Sequence, residues 1–204
     1  MIYQLNFKNE SSDQSTPDVV IFQKNISPNQ NDAPVAWMVI KNCGTGDNHP
    51  FQLDAQYQLG GTGADGKSLT QVDALNGQVW NVIGSATGDQ LELDKNPGTA
   101  NEFIEIRNEN AKGSIVGELY NNGLLIAKTD PIDPGQNGTF GFRQAIYIGA
   151  MDSMEEGALL DSAALDQLQS QVGLMGVSAA DIIMTGGGVG PNATQYQFEL
   201  VPIT

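Results

Sequence analysis

Apolar and polar residues alternate with a period of two from the start of the chain. Tyr3, Leu5 and Phe7 fall on one side, Gln4, Asn6 and Lys8 on the other. This is the signature of a half-buried strand. Phe51, Leu53, Ala55 and Tyr57 repeat the pattern against Gln52, Asp54, Gln56 and Gln58. Residues 19–22 and 35–40 are continuous apolar runs, which suit strands covered on both faces. The same reasoning predicts strands at 79–83, 90–93, 103–107, 114–120, 124–128, 181–184 and 194–200, and one long strand over 139–148. Asn121-Asn122-Gly123 separates two apolar runs. Asn-Gly tolerates the positive φ of a type I′ turn, so a hairpin is predicted there.

The period changes near residue 153. Ser153 and Glu156 have the spacing of a capping box, and Leu159, Leu160, Ala163, Ala164, Leu165, Leu168 and Val172 recur at helical intervals before Gly173. A short amphipathic helical segment is expected within 153–172, continuous or broken at Gly157. Residues 27–32 read as a loop from their Pro, Asn and Asp content. Gly60-Gly61-Thr62-Gly63-Ala64-Asp65-Gly66 reads as a flexible loop. It lacks the ending and the following helix of a phosphate-binding loop.

About ten to twelve strands with no interleaved helices exclude a doubly wound parallel sheet. The expected fold is mainly β: an antiparallel β-sandwich of jelly-roll type, one domain over residues 1–204 with a helical insertion at 153–172. Twenty-four glycines and nine prolines fit this as turn punctuation.

The formal charge of −15 and the pI of about 4.1 argue against nucleic acid and anionic membrane surfaces, which attract basic patches. Cations, basic proteins, neutral glycans and further copies of the chain remain as partners. No apolar run is long enough to span a bilayer, and the N-terminus lacks a signal-peptide pattern. A cytoplasmic protein, or one exported by a non-classical route, is expected.

One histidine and one cysteine in 204 residues leave few routes to acid–base or thiolate catalysis. Cys43, after an apolar run, reads as a packed thiol at a strand end. His49, in Gly46-Asp47-Asn48-His49-Pro50, reads as a turn histidine with Asp47 close enough to orient it. Trp37 and Trp80 read as core residues. The loop from Thr129 to Gly138 brings Asp130, Asp133 and Asn137 close in sequence. It is either a rigid surface turn set by Pro131 and Pro134 or a weak calcium site, because calcium takes several oxygen ligands. No other cofactor is expected. After Arg143 there is no Lys or Arg, while Asp152, Glu155, Glu156, Asp161, Asp166, Asp181 and Glu199 follow. This is either a solvated anionic face or a docking surface for a basic partner.

Val19-Val20-Ile21-Phe22-Gln23, a Pro/Asn loop and Ala36-Trp37 are the segments that resemble the family of RhiA, a rhizosphere-expressed bacterial protein. Tyr196 and Phe198, after the glycine-rich stretch, are similar to that family's final strand. Met38 departs from it, standing where an aromatic is usual. The resemblance implies an environmental or plant-associated bacterial protein under population-density control. It carries over no catalytic residue. The expected function is non-catalytic, by binding or self-association. The rivals are a carbohydrate-active enzyme with paired carboxylates and a structural protein that assembles.

Overall fold

The computed structural model describes residues 2–12, 15–27, 33–96, 102–168 and 170–203. Most of the loop expected at 27–32 lies outside them. In chain order the strands are β1 (Ile2–Asn9), β2 (Val19–Phe22), β3 (Met38–Ile40), β4 (Asn48–Asp54), β5 (Tyr57–Thr62), β6 (Ser68–Ala74), β7 (Val79–Ser85), β8 (Gly88–Leu93), β9 (Ile104–Asn108), β10 (Val116–Asn121), β11 (Leu124–Lys128), β12 (Asn137–Phe140) and β13 (Ala145–Ala150). Then follow helix α1 (Ser162–Gln167) and strands β14 (Ser170–Gly173), β15 (Ala179–Gly187) and β16 (Thr194–Pro202). Among the described residues the protein is mainly β, with four four-stranded sheets and one short α-helix, and none of the sheets closes into a barrel. No helix among the described residues is long and apolar enough to cross a membrane.

The chain forms two compact units. The first comprises Met1–Lys24, Val35–Ala55 and Gln144–Thr204. It holds the sheets β16-β15-β1-β4 and β14-β13-β2-β3. Tyr3, Leu5 and Phe7 of β1 bury the face that alternation assigns to them, and all four residues of β2 are buried. Trp37 is fully buried and meets Phe51 edge-on at 6.2 Å. Phe22 stacks on Tyr147 at 5.3 Å. Pro50 and Pro202 lie in the edge strands β4 and β16, where a missing N–H costs no ladder bond.

The second unit comprises Asn25–Pro34 and Gln56–Arg143, with sheets β11-β10-β5-β6 and β12-β9-β7-β8. The two sheets meet closely at Gly117 of β10. A β carbon there would lie 3.0 Å from Ile106 of β9 and 3.4 Å from Phe140 of β12. Trp80 is buried, as its strand pattern predicts. Asn122 and Gly123 have φ of 52° and 79°, so the β10–β11 hairpin turns as expected.

Among the described residues the sheets are mostly antiparallel and one short helix lies within 153–172, as expected; four details differ. Two strand pairs are parallel: β1 with β15, and β7 with β9. The long intervening chain permits the crossover in the first case. Residues 139–148 do not form one strand. They break between β12 and β13, where Gly141 hydrogen-bonds Asn25 and Ile26, and the chain passes from the second unit to the first. The glycine run is no flexible loop either: Gly60 and Gly61 lie in β5 at a bulge. There Gly61 (φ 137°) leaves no room for a side chain against the Val116 carbonyl. The helical segment expected within 153–172 is α1, six residues long. Ser153 has φ 63° and is no cap; Asp161 caps α1 by accepting from the Ala164 N–H at 2.8 Å. Leu160, Ala164 and Leu168 do pack into one cluster with Val20 and Phe22. Leu159, by contrast, is in a β-bridge with Val35, and Val172 falls in β14.

Candidate functional site

The first unit carries a polar groove of about 500 Å³, within the range of small-molecule sites. One wall is the edge strand β16. Tyr196 and Phe198 stand two residues apart, so both project from the same face. Phe198 is held by Phe7, at 6.5 Å between ring centroids. Asp166 and Gln167 at the end of α1, and Ser170 at the start of β14, line the same groove with hydrogen-bonding groups. Asp166 is the single carboxylate residue among the described lining residues. Sequence reading identified Tyr196 and Phe198 only as strand residues. Their meeting with α1 is tertiary and has no local signal.

A second cluster lies where β3 turns into β4. Sγ of Cys43, a carboxylate oxygen of Asp47 and an imidazole nitrogen of His49 all lie within 4.8 Å of one another. Cys43 is buried, His49 half-buried and Asp47 exposed. The turn is clamped onto Asn9 at the end of β1. The Asn9 N–H donates to the Asp47 carbonyl at 3.0 Å, and the Gly46 N–H donates to the Asn9 carbonyl at 2.7 Å. The Asn9 side-chain amide donates to the Cys43 carbonyl at 2.9 Å. Asp47 Oδ2 accepts from the Gly44 N–H at 2.8 Å. Burial pushes the Cys43 thiol above its ordinary range and the charge of Asp47 pushes the same way, with Asn9 acting in the opposite sense. A free thiolate nucleophile is therefore not favoured. His49 Nε2 is buried with no hydrogen-bond partner among the described residues. The sequence reading set Asp47 beside His49 but treated Cys43 apart. The Cys-x3-Asp-x-His spacing was the available signal.

The residues of the calcium loop serve different partners. Asp130 stands exposed before Pro131. Asp133 accepts from the Ser114 hydroxyl at 2.6 Å, while Asn137 opens β12 and donates its amide to Glu105 at 3.0 Å. Four of the seven acids of the anionic C-terminal stretch are engaged within their own unit. Lys8 pairs with Asp181 at 2.7 Å and Lys41 with Glu155 at 3.0 Å. Glu156 accepts from the Val39 N–H, and Asp161 caps α1.

Comparison with family models, with curated proteins and with solved structures finds no match for this chain.

Proposed function

We propose that the protein acts by binding rather than by catalysis, and that its ligand is a neutral glycan held in the groove beside β16. The observation that carries this reading is the pair Tyr196 and Phe198 on one face of an edge strand, in a groove also lined by Asp166 and Gln167. Aromatic faces stack on the C–H faces of sugar rings, while carboxylate and amide groups take up the hydroxyls. The charge of −15 disfavours anionic sugars. Glycoside hydrolysis needs two carboxyl groups about 5–9.5 Å apart; the described lining of the groove offers one. The resemblance of residues 19–37 to the RhiA family belongs to the same proposal, since it points to a ligand met in the environment.

The test is a panel of neutral oligosaccharides screened by calorimetry against the full chain and its Tyr196→Ala variant. Saturable binding that weakens at least ~10-fold in the variant, with melting unchanged, is expected from the loss of about 1.4 kcal/mol of stacking. Absence of binding across the panel, or equal binding by the variant, overturns it.

Self-association is the second reading. Strand β16 is nine residues long and lies at a sheet edge, with Val201 and nearby Ile203 exposed. Such an edge is a template for another strand. A concentration-dependent dimer in sedimentation, lost on Val201→Lys, is the expected result.

A further inference from the structure

We infer that Cys43, Asp47 and His49 form a binding site for a divalent transition-metal ion, with zinc the best match. This goes beyond the glycan reading and rests on different residues.

The donor set defines the class of ion. A thiolate is a soft ligand and an imidazole a borderline one, a combination suited to zinc rather than to calcium or magnesium, which take oxygen. On binding, the ion would displace the Cys43 thiol proton to solvent, and the resulting thiolate with the Asp47 carboxylate would neutralise a dication. Tetrahedral zinc with its usual bond lengths sets its ligand atoms about 3.3–3.6 Å apart. The three groups stand within 4.8 Å of one another. Exposed Asp47 and half-buried His49 can close that gap by small side-chain rotations.

The turn is already built for the purpose. Cys43 is fixed at both ends of its backbone: its N–H donates to the Pro17 carbonyl at 3.1 Å and its carbonyl accepts from Asn9. Asp47 spends lone pairs of one oxygen on Gly44, which leaves the other oxygen for an ion. The buried Nε2 of His49 has no hydrogen-bond partner among the described residues, and a buried polar nitrogen left so is costly. No ion pair is made by Asp47 among the described residues. Three protein ligands leave a fourth position for water or an added ligand.

Cobalt(II) is the probe, because it takes zinc sites and reports its ligands in its spectrum. Titrating the reduced full chain with cobalt(II) should give a thiolate-to-cobalt charge-transfer band in the near ultraviolet, saturating at one equivalent and abolished by zinc(II). Cys43→Ser should remove the band. His49→Asn and Asp47→Asn should each weaken binding at least ~10-fold. Zinc(II) should raise the melting temperature of the parent more than that of any variant. No charge-transfer band in the parent overturns the proposal. So does unchanged affinity in both His49→Asn and Asp47→Asn, and this pair decides the matter if Cys43→Ser fails to fold.

Discussion

The side-chain amide of Asn9 donates to the carbonyl oxygen of Cys43 at 2.9 Å, and so ties the end of the first strand to the turn that carries the only thiol. Asn9 is fully buried, and its Oδ1 also accepts from the Ser11 N–H at 2.9 Å. One side chain therefore satisfies two backbone groups. Asn9→Ala leaves both without that partner. The expected cost is about 2–3 kcal/mol, read by urea denaturation. A midpoint within error of the parent would show that the clamp is not needed.

Gly61 and Gly66 both have positive φ, yet they should respond differently to alanine. At Gly61 a β carbon would sit 1.9 Å from the Val116 carbonyl oxygen, so Gly61→Ala must push β5 away from β10. A loss of about 3 kcal/mol or more is expected. At Gly66 nothing lies within 4 Å. Only the backbone preference remains, about 1–2 kcal/mol. Parallel thermal melts check the contrast, and equal losses would refute it.

The Lys8–Asp181 pair sets an acid limit. Lys8 beside Asp181 holds the carboxyl below its usual range; burial works against this, while the Asn6 amide at 3.1 Å works with it. The unfolded chain therefore binds the proton first as pH falls. The stability from this pair is present above the unfolded carboxylate value of about 3.9 and is lost as pH drops through the lowered folded value. Asp181→Asn should flatten the decline in melting temperature below about pH 4. An unchanged profile would assign the acid limit to other groups.

Tyr120 sets an alkaline limit. Burial pushes its hydroxyl up to about 12, helped by the hydrogen bond it donates to Glu118 at 2.7 Å and by that carboxylate's charge. Here the unfolded chain loses its proton first, near pH 10. Stability from this group is complete below that pH and falls as pH rises toward the folded value. Spectrophotometric titration should show one tyrosine ionising late, and Tyr120→Phe should remove it. Retention of the late step in the variant would move the assignment to another tyrosine.

Local pattern alone determined much of this protein. The alternation at Tyr3, Leu5 and Phe7 and the apolar run at residues 19–22 set strand positions and buried faces, because a pleated strand presents every second residue to its core. Asn122-Gly123 set a hairpin, because those two residues accept the backbone angles it needs. Tertiary structure decided what local pattern leaves open. Helical periodicity over residues 153–172 was overridden where Leu159 makes an isolated bridge to Val35 and Val172 pairs with Ile146 in the β13–β14 ladder. The parallel β1–β15 pair joins segments over 170 residues apart, which no window of sequence can see. Both candidate sites arise in the same way. Tyr196 and Asp166 line one groove only because the tertiary fold brings β16 and α1 to it. Cys43 stands beside His49 in a turn that the Asn9 amide ties to the first strand. Residue type supplies the chemistry, but long-range hydrogen bonding and burial choose which residues meet.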